Sequence, residues 1–195
     1  MKRVFLDVET TGRDPIKNGI IQLSGIIDID GEVMEEFNFK IDTFKEDVIE
    51  DEALEVNKRN LNEIHTFPPP NIIIKKFETV MGKYINKFNS KDKAYFIAHN
   101  AKFDKDFMYH WFKKNDNNYI HSWFYKWSVC TMNMGTCLIP LHIQPCPENF
   151  KLEGLSKFFN IKVDSDNLHD SLVDVRLCRE IFYKLKEYTI DPVSV

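Results

Sequence analysis

No apolar run in the chain approaches the ~18 residues that a membrane span requires. The opening segment MKRVFLDVE reads as a strand from its third residue, which argues against a signal peptide. The four cysteines, Cys130, Cys137, Cys146 and Cys178, follow no short paired pattern. Without a secretory signal they read as reduced thiols, so an intracellular, cytoplasmic setting is expected. Internal repeats and low-complexity linkers are missing too, and 195 residues suffice for one domain with a real core. An excess of positive charge is also lacking, the net charge being −4. Gripping long duplexes rests on many Lys and Arg contacts to phosphates, so that mode of binding is disfavoured. A grip on a few nucleotides at one end is still open, because carboxylates that hold metal ions count as negative only until the ions arrive.

What is present is a strand-rich beginning followed by helices. Val4, Leu6 and Val8 alternate with Phe5, Asp7 and Glu9. A second apolar run covers 20–29, Asp30-Gly31 is a hairpin signal, and 33–41 is the return strand. Helices are expected over 46–57, 72–88, 103–114, 151–159 and 170–188, with short strands at 94–98 and 128–132. The stretch 115–149 is the least regular. Strands first, then helices alternating with further strands, give an α/β fold: a mixed sheet of about five strands flanked by helices.

Several acids stand where apolar residues belong. Residues two apart on a strand share a face, so Asp7 and Glu9 are neighbours on an otherwise apolar strand. Asp104 heads the helical stripe of Phe107, Met108, Trp111 and Phe112, and Asp174 heads Leu177, Cys178 and Ile181. A lone Asp near a helix start is ordinarily a cap or a dipole partner, as Asp170 is expected to be for the last helix. Four misplaced acids in three segments ask for more. A buried, unpaired carboxylate is costly unless it is protonated, ion-paired or bound to metal, and Mg²⁺ prefers oxygen ligands. The residues alone thus define an acidic metal site.

These residues resemble the DEDDh 3′→5′ exonucleases, the DnaQ-like group of the ribonuclease H-like superfamily. The resemblance lies in LDVETTG (Leu6 to Gly12), HNAKFD (His99 to Asp104) and HDSLVDV (His169 to Val175), in that order, and covers about residues 4–185. It implies a ribonuclease H-like fold and a single exonuclease domain over 1–188, with 189–195 as a short tail. It implies that Asp7, Glu9, Asp104 and Asp174 hold two divalent cations, Mg²⁺ with Mn²⁺ as substitute, and that His169 is the general base. Thr10, Thr11, Gly12 and Asn100 would hold the terminal nucleotide. Many relatives carry Asp-Thr where this chain has Cys130-Thr131, which touches only a detail behind the ligands. Residues five apart on an α-helix point about 140° apart, so His169 is expected in the loop before the helix that carries Asp174.

The implied activity is removal of 5′-mononucleotides from single-stranded or frayed 3′ ends, with DNA favoured slightly over RNA. RNA trimming, oligoribonuclease activity and a non-catalytic nucleic-acid-binding module are the alternatives; all ligands of the motif are present, which weighs against the last. A polymerase or repair assembly is the partner class this implies. Richness in Lys, Asn, Ile and Phe suits an AT-rich genome such as a phage's. No basic track is evident, so low processivity and a shallow salt dependence are expected. Two features stay open. The aromatic segment 121–127 could stack bases or fill the core, and Cys130, Cys137, His142 and Cys146 could form a Cys₃His zinc site or be free thiols.

Overall fold

The computed structural model describes residues 1–143, 145–162 and 170–188. Strands β1 (Lys2–Thr10), β2 (Ile20–Ile29) and β3 (Glu32–Lys40) form an antiparallel meander. Its second turn is the expected Asp30-Gly31, with positive φ at both residues (56° and 102°). Strands β4 (Ala94–Ala98) and β5 (Phe124–Cys130) add in parallel, in the order β3-β2-β1-β4-β5. The result is the mixed five-stranded sheet of an α/β domain.

As the central strand, β1 is covered on both faces, which explains its near-continuous apolar character. Val4, Leu6 and Val8 pack with α3 (Pro70–Gly82) and α4 (Ala101–Lys114). Phe5 points the other way, toward α8 (Ser171–Glu187), where Val175, Cys178 and Phe182 meet it. Gly25 of β2 is needed on the α3 and α4 face: a Cβ would lie 2.3 Å from Phe37 Cζ and 2.8 Å from Leu6 Cδ2.

α8 runs antiparallel to β1. Phe5 meets Phe182 edge to face at 5.4 Å, the Cys178 thiol is raised by burial and then by the nearby Asp7, and Asp174 is the strongest charge acting on Glu9. Two strand residues advance about 6.7 Å and four helical residues 6 Å, so the two elements stay in step over this distance. On β2, Ser24 shares a 2.6 Å hydrogen bond with Ser171, and Asp28 receives Arg179.

Other elements depart from the sequence reading. The helix expected over 46–57 is only α1 (Asp51–Val56), because the Val48 and Glu50 amides donate to the carbonyls of Lys17 and Thr11 and hold that segment against the loop after β1. A short helix, α2 (Leu61–Ile64), follows it. The helix expected to reach 88 stops at Gly82. The irregular region contains α5 (Ile120–Trp123), all of β5, and α6 (Thr131–His142), which starts at a residue expected in a strand. α7 (Leu152–Phe158) fits the expected 151–159, and Asp170 caps α8, its side chain accepting from the Leu172 amide at 3.0 Å. The tail 189–195 lies outside the described residues.

Candidate active site

The site assembles at the C-terminal end of β1. Asp7 and Glu9 share the α8 face of the strand, and Asp174 sits in the first turn of α8. Each offers a carboxylate oxygen, and these lie within 4.8 Å of one another. Among the described residues no other group of three His, Cys, Asp or Glu side chains converges in this way. Cys130, Cys137, His142 and Cys146 form no such group; Cys137 and Cys146 are exposed. Their spacing gave no reason to expect a known finger, and the fold supplies no convergence.

Asp104 completes the set from the opposite side. β4 pairs with β1 only at Arg3, Val4 and Phe5, and the chain then turns through Asn100, in the left-handed region at φ 66°, into α4. This places Asp104 in the first turn of α4 beside the Val8 amide, which donates to Asp104 Oδ1 at 3.2 Å. Asp104 is 2% exposed, and although it stands outside the 4.8 Å group it is the strongest charge acting on Asp7.

Three of these carboxylates, Asp7, Glu9 and Asp104, resist ionisation. Burial first, then Asp104, Glu9 and Asp174, raises Asp7 well above the ordinary aspartate value. Burial, followed by Asp174 and Asp170, pushes Glu9 up to about 8, with Lys40 acting in the other direction. Burial also pushes Asp104 up to about 8, against the Val8 hydrogen bond. The set is all oxygen and strongly negative, the chemistry that suits a hard divalent cation.

Beside Glu9 opens a cleft of about 440 Å³ whose walls include Thr10, Gly12, Arg13, Asn57, Asn100 and Phe103. Gly12 is required for its shape, since a Cβ would fall 2.3 Å from Asn18 Nδ2 and 2.4 Å from Glu50 Oε1. Thr10 Oγ1 donates to the Gly12 carbonyl at 2.7 Å, and Asn57 Nδ2 donates to the Thr10 carbonyl at 2.9 Å. Of the residues expected to hold a nucleotide, Thr10, Gly12 and Asn100 line the cleft. Thr11 does not: it is fully buried, and its hydroxyl donates to the Val48 carbonyl and accepts from the Gly19 amide. Val48 lies in the segment that shortened α1 and Gly19 in the loop after β1, so Thr11 ties the two together and holds the cleft wall.

His169 lies outside the described residues; α8 begins two positions after it. Its neighbour Asp170 is held by Gln22 Nε2 at 3.2 Å, Lys40 Nζ at 3.7 Å and Arg59 at 4.0 Å. The second-motif histidine, His99, is drawn into packing: its Nδ1 meets Thr131 Oγ1 at 2.9 Å and burial pulls its pKa down to about 4, leaving it neutral. Sequence reasoning missed Arg13, Asn57 and Phe103 in the cleft and Lys40 and Arg59 beside Asp170. Arg13 directly follows the Thr-Thr-Gly tail and could have been found by that adjacency. The others carry no local signal.

A mixed sheet with carboxylates gathered at the end of its central first strand is the architecture of a ribonuclease H-like exonuclease domain. The chain belongs to the exonuclease family, whose RNase T-type model matches residues 4–182. No curated protein sequence matches it. Among solved structures, E. coli exonuclease I in complex with a dT13 oligonucleotide is similar at a TM-score of 0.78 and 20% identity, over 96% of this chain and 41% of that one. The zinc-bound form of the E. coli exonuclease I–ssDNA complex gives 0.77 and 20%, over 97% and 41%. An apo exonuclease I gives 0.73 and 17%, over 96% and 44%. The likeness is one of fold, and this chain spans about two-fifths of the length of the exonuclease I chains.

Proposed function

We propose that residues 1–188 act as one DEDDh-type 3′→5′ exonuclease domain that hydrolyses phosphodiester bonds at nucleic-acid 3′ ends and releases nucleoside 5′-monophosphates. The observation that carries this reading is the convergence of Asp7, Glu9 and Asp174 within 4.8 Å, with Asp104 facing Asp7. These four residues would hold two Mg²⁺ ions, for which Mn²⁺ substitutes. Bound there, such ions activate water and stabilise the charge on the leaving oxygen.

The rest is done by the chain itself. The cleft beside Glu9 receives the terminal nucleotide, with the backbone at Thr10 and Gly12 forming one wall and Asn100 and Phe103 the other. The Asn57 bond to the Thr10 carbonyl fixes that wall. His169 takes the proton from the attacking water, a role matched to an ordinary His pKa near ~6.5. A base standing before the helix that carries Asp174, on a separate stretch of chain, meets the angular requirement set by the five-residue spacing. Single-stranded DNA is the favoured substrate. The exonuclease I complexes with dT13 and with ssDNA support that choice, as does a net charge of −4 that disfavours duplex gripping.

Digestion of 5′-labelled single-stranded DNA, duplex DNA and RNA, side by side with Mg²⁺, Mn²⁺ or chelator, tests the proposal. The expected result is metal-dependent shortening from the 3′ end, fastest on single-stranded DNA, and a folded but inactive Asp7→Ala variant. Cleavage in chelator, cutting of circular single-stranded DNA, or retention of more than a few per cent of activity by Asp7→Ala overturns it.

A further inference from the structure

We infer that the strand upstream of the 3′ end lies on a lysine–tryptophan track that leaves the cleft along α4 and reaches the exposed edge of β5. The inference rests on the reading of the cleft as the seat of a nucleic-acid 3′ end, and it assigns a binding role to a surface away from the metal-ligating acids.

The track begins where the cleft ends. A second depression of about 270 Å³ continues from it, sharing Arg13, Asn100 and Phe103 and adding Lys102. From Lys102, offsets of three, four and four residues lead to Lys105, Tyr109 and Lys113, which places all four on one face of α4. Along that face Lys105 lies about 5 Å beyond Lys102 at 1.5 Å per residue. Its ammonium donates to the carbonyl of Lys126, joining the helix face to the edge strand β5. The Lys126 ammonium in turn stands 5.0 Å from the centre of the Trp127 ring.

Trp127 is what singles out this surface. It is 75% exposed, whereas Trp111 and Trp123 are 3% and 2% exposed. β5 is an edge strand paired only with β4, and among the described residues the indole is left open. An open aromatic face beside lysines, continuous with a site for a strand end, is the combination that binds unpaired nucleotides: the rings stack bases and the ammonium groups follow phosphates. Charge complementarity points to the same occupant. Among the described residues only Lys102 of Lys102, Lys105, Lys113 and Lys126 is ion-paired, with Asp106. The lysines are scattered over α4 and β5 between positions 102 and 126, which is why the chain read linearly shows no basic run.

The test uses the full chain carrying Asp7→Asn, with Mg²⁺, so that oligothymidylate is held without being degraded. Because the other two tryptophans are buried, tryptophan emission reports stacking at Trp127. Oligothymidylate is expected to quench the emission, a thymidine dinucleotide too short to span both cleft and track is not, and Trp127→Phe is expected to abolish the quench. In the otherwise wild-type enzyme Trp127→Ala should raise KM for the oligomer about tenfold, with kcat and dinucleotide cleavage unchanged. Lys105→Ala and Lys126→Ala should each make the log–log salt slope of oligomer binding shallower by about 0.7. An unquenched Trp127, or a Trp127→Ala enzyme with unaltered KM on the oligomer, overturns the track even if the exonuclease reading stands. A Trp127→Ala chain that binds oligomer normally but loses self-association in sedimentation assigns the edge to a protein contact and overturns it as well. Failure of wild-type enzyme to cleave either substrate strikes the exonuclease reading instead, and leaves the quench as a separate measurement.

Discussion

The Val8 amide donates to Asp104 Oδ1 across 3.2 Å, a bond between the central strand and the first turn of α4 made where β4 no longer reaches β1. Asp104 therefore has two separable properties, its charge and its acceptor. Asp104→Asn keeps a carbonyl oxygen for Val8 while removing the charge. It should fold with a melting temperature in chelator equal to or above that of the wild type, because a strong repulsion on Asp7 is gone, and its cleavage rate should fall by at least 10²-fold. Asp104→Ala leaves the buried amide unpaired and should be about 1–3 kcal/mol less stable than Asp104→Asn in urea unfolding. Equal stability of the two variants would deny the bond its structural role.

His169→Ala should fold and bind Mg²⁺ like the wild type but cleave ~10²–10⁴-fold more slowly, as expected of a lost general base. Calorimetric titration of Mg²⁺ separates the roles. A large loss of metal affinity would make His169 a ligand.

Stability should depend on pH in opposite senses with and without metal. Glu9 and Asp104 are both raised to about 8 from 4.5 and 3.8. Between those limits the folded chain holds protons that the unfolded chain has released, so metal-free stability falls as pH rises and levels off above about 8. His99 works the other way: lowered from 6.5 to about 4, it costs stability only as pH drops below 6.5. The window from pH 6.5 to 8 therefore isolates the acids. In chelator the melting temperature should decline across it, Glu9→Gln should flatten the decline, and Mg²⁺ should raise the melting temperature most at pH 8, where the ligands are ionised. A flat profile in chelator would mean that the acids are not mutually strained.

Asp28 should matter for stability and not for chemistry. It is fully buried and accepts from Arg3 at 3.2 Å, Arg179 Nε at 3.0 Å, Tyr183 at 2.9 Å and the Gly31 amide at 3.1 Å. Asp28→Ala leaves two guanidinium groups without their shared anion and should cost about 3–5 kcal/mol in urea unfolding. Activity per folded molecule should stay near that of the wild type. A loss of kcat in fully folded Asp28→Ala would connect this end of α8 to the site.

Much of the fold was legible because its signals are local. Strand alternation gave the face that Asp7 and Glu9 share, Asp30-Gly31 gave the hairpin, and the stripe after Phe103 gave α4. The helix at Thr131–His142 was hidden by its own composition. Gly135 and Pro140 are poor helix interior residues, yet Gly135 lets Leu155 and Phe150 approach, a Cβ there meeting them at 3.2 and 3.3 Å. The 46–50 segment misread as helix is held out of it by bonds from the Val48 and Glu50 amides to residues more than 30 positions away. Lys40 and Arg59 reach Asp170 across more than a hundred residues, and no periodicity could have announced that.

The matched advance of β1 and α8 has a consequence for how the domain can vary. Phe5 against Phe182 fixes the two elements at one end, and Glu9 faces Asp174 at the other. Inserting one residue in α8 between those points would swing Asp174 by about 100° around the helix, out of reach of its partners. Inserting one in β1 would send Glu9 through to the α4 face. These two spans are therefore intolerant of indels, whereas loops outside them can lengthen without disturbing the acids, and the strand and helix can be transplanted into another ribonuclease H-like sheet only as a matched pair.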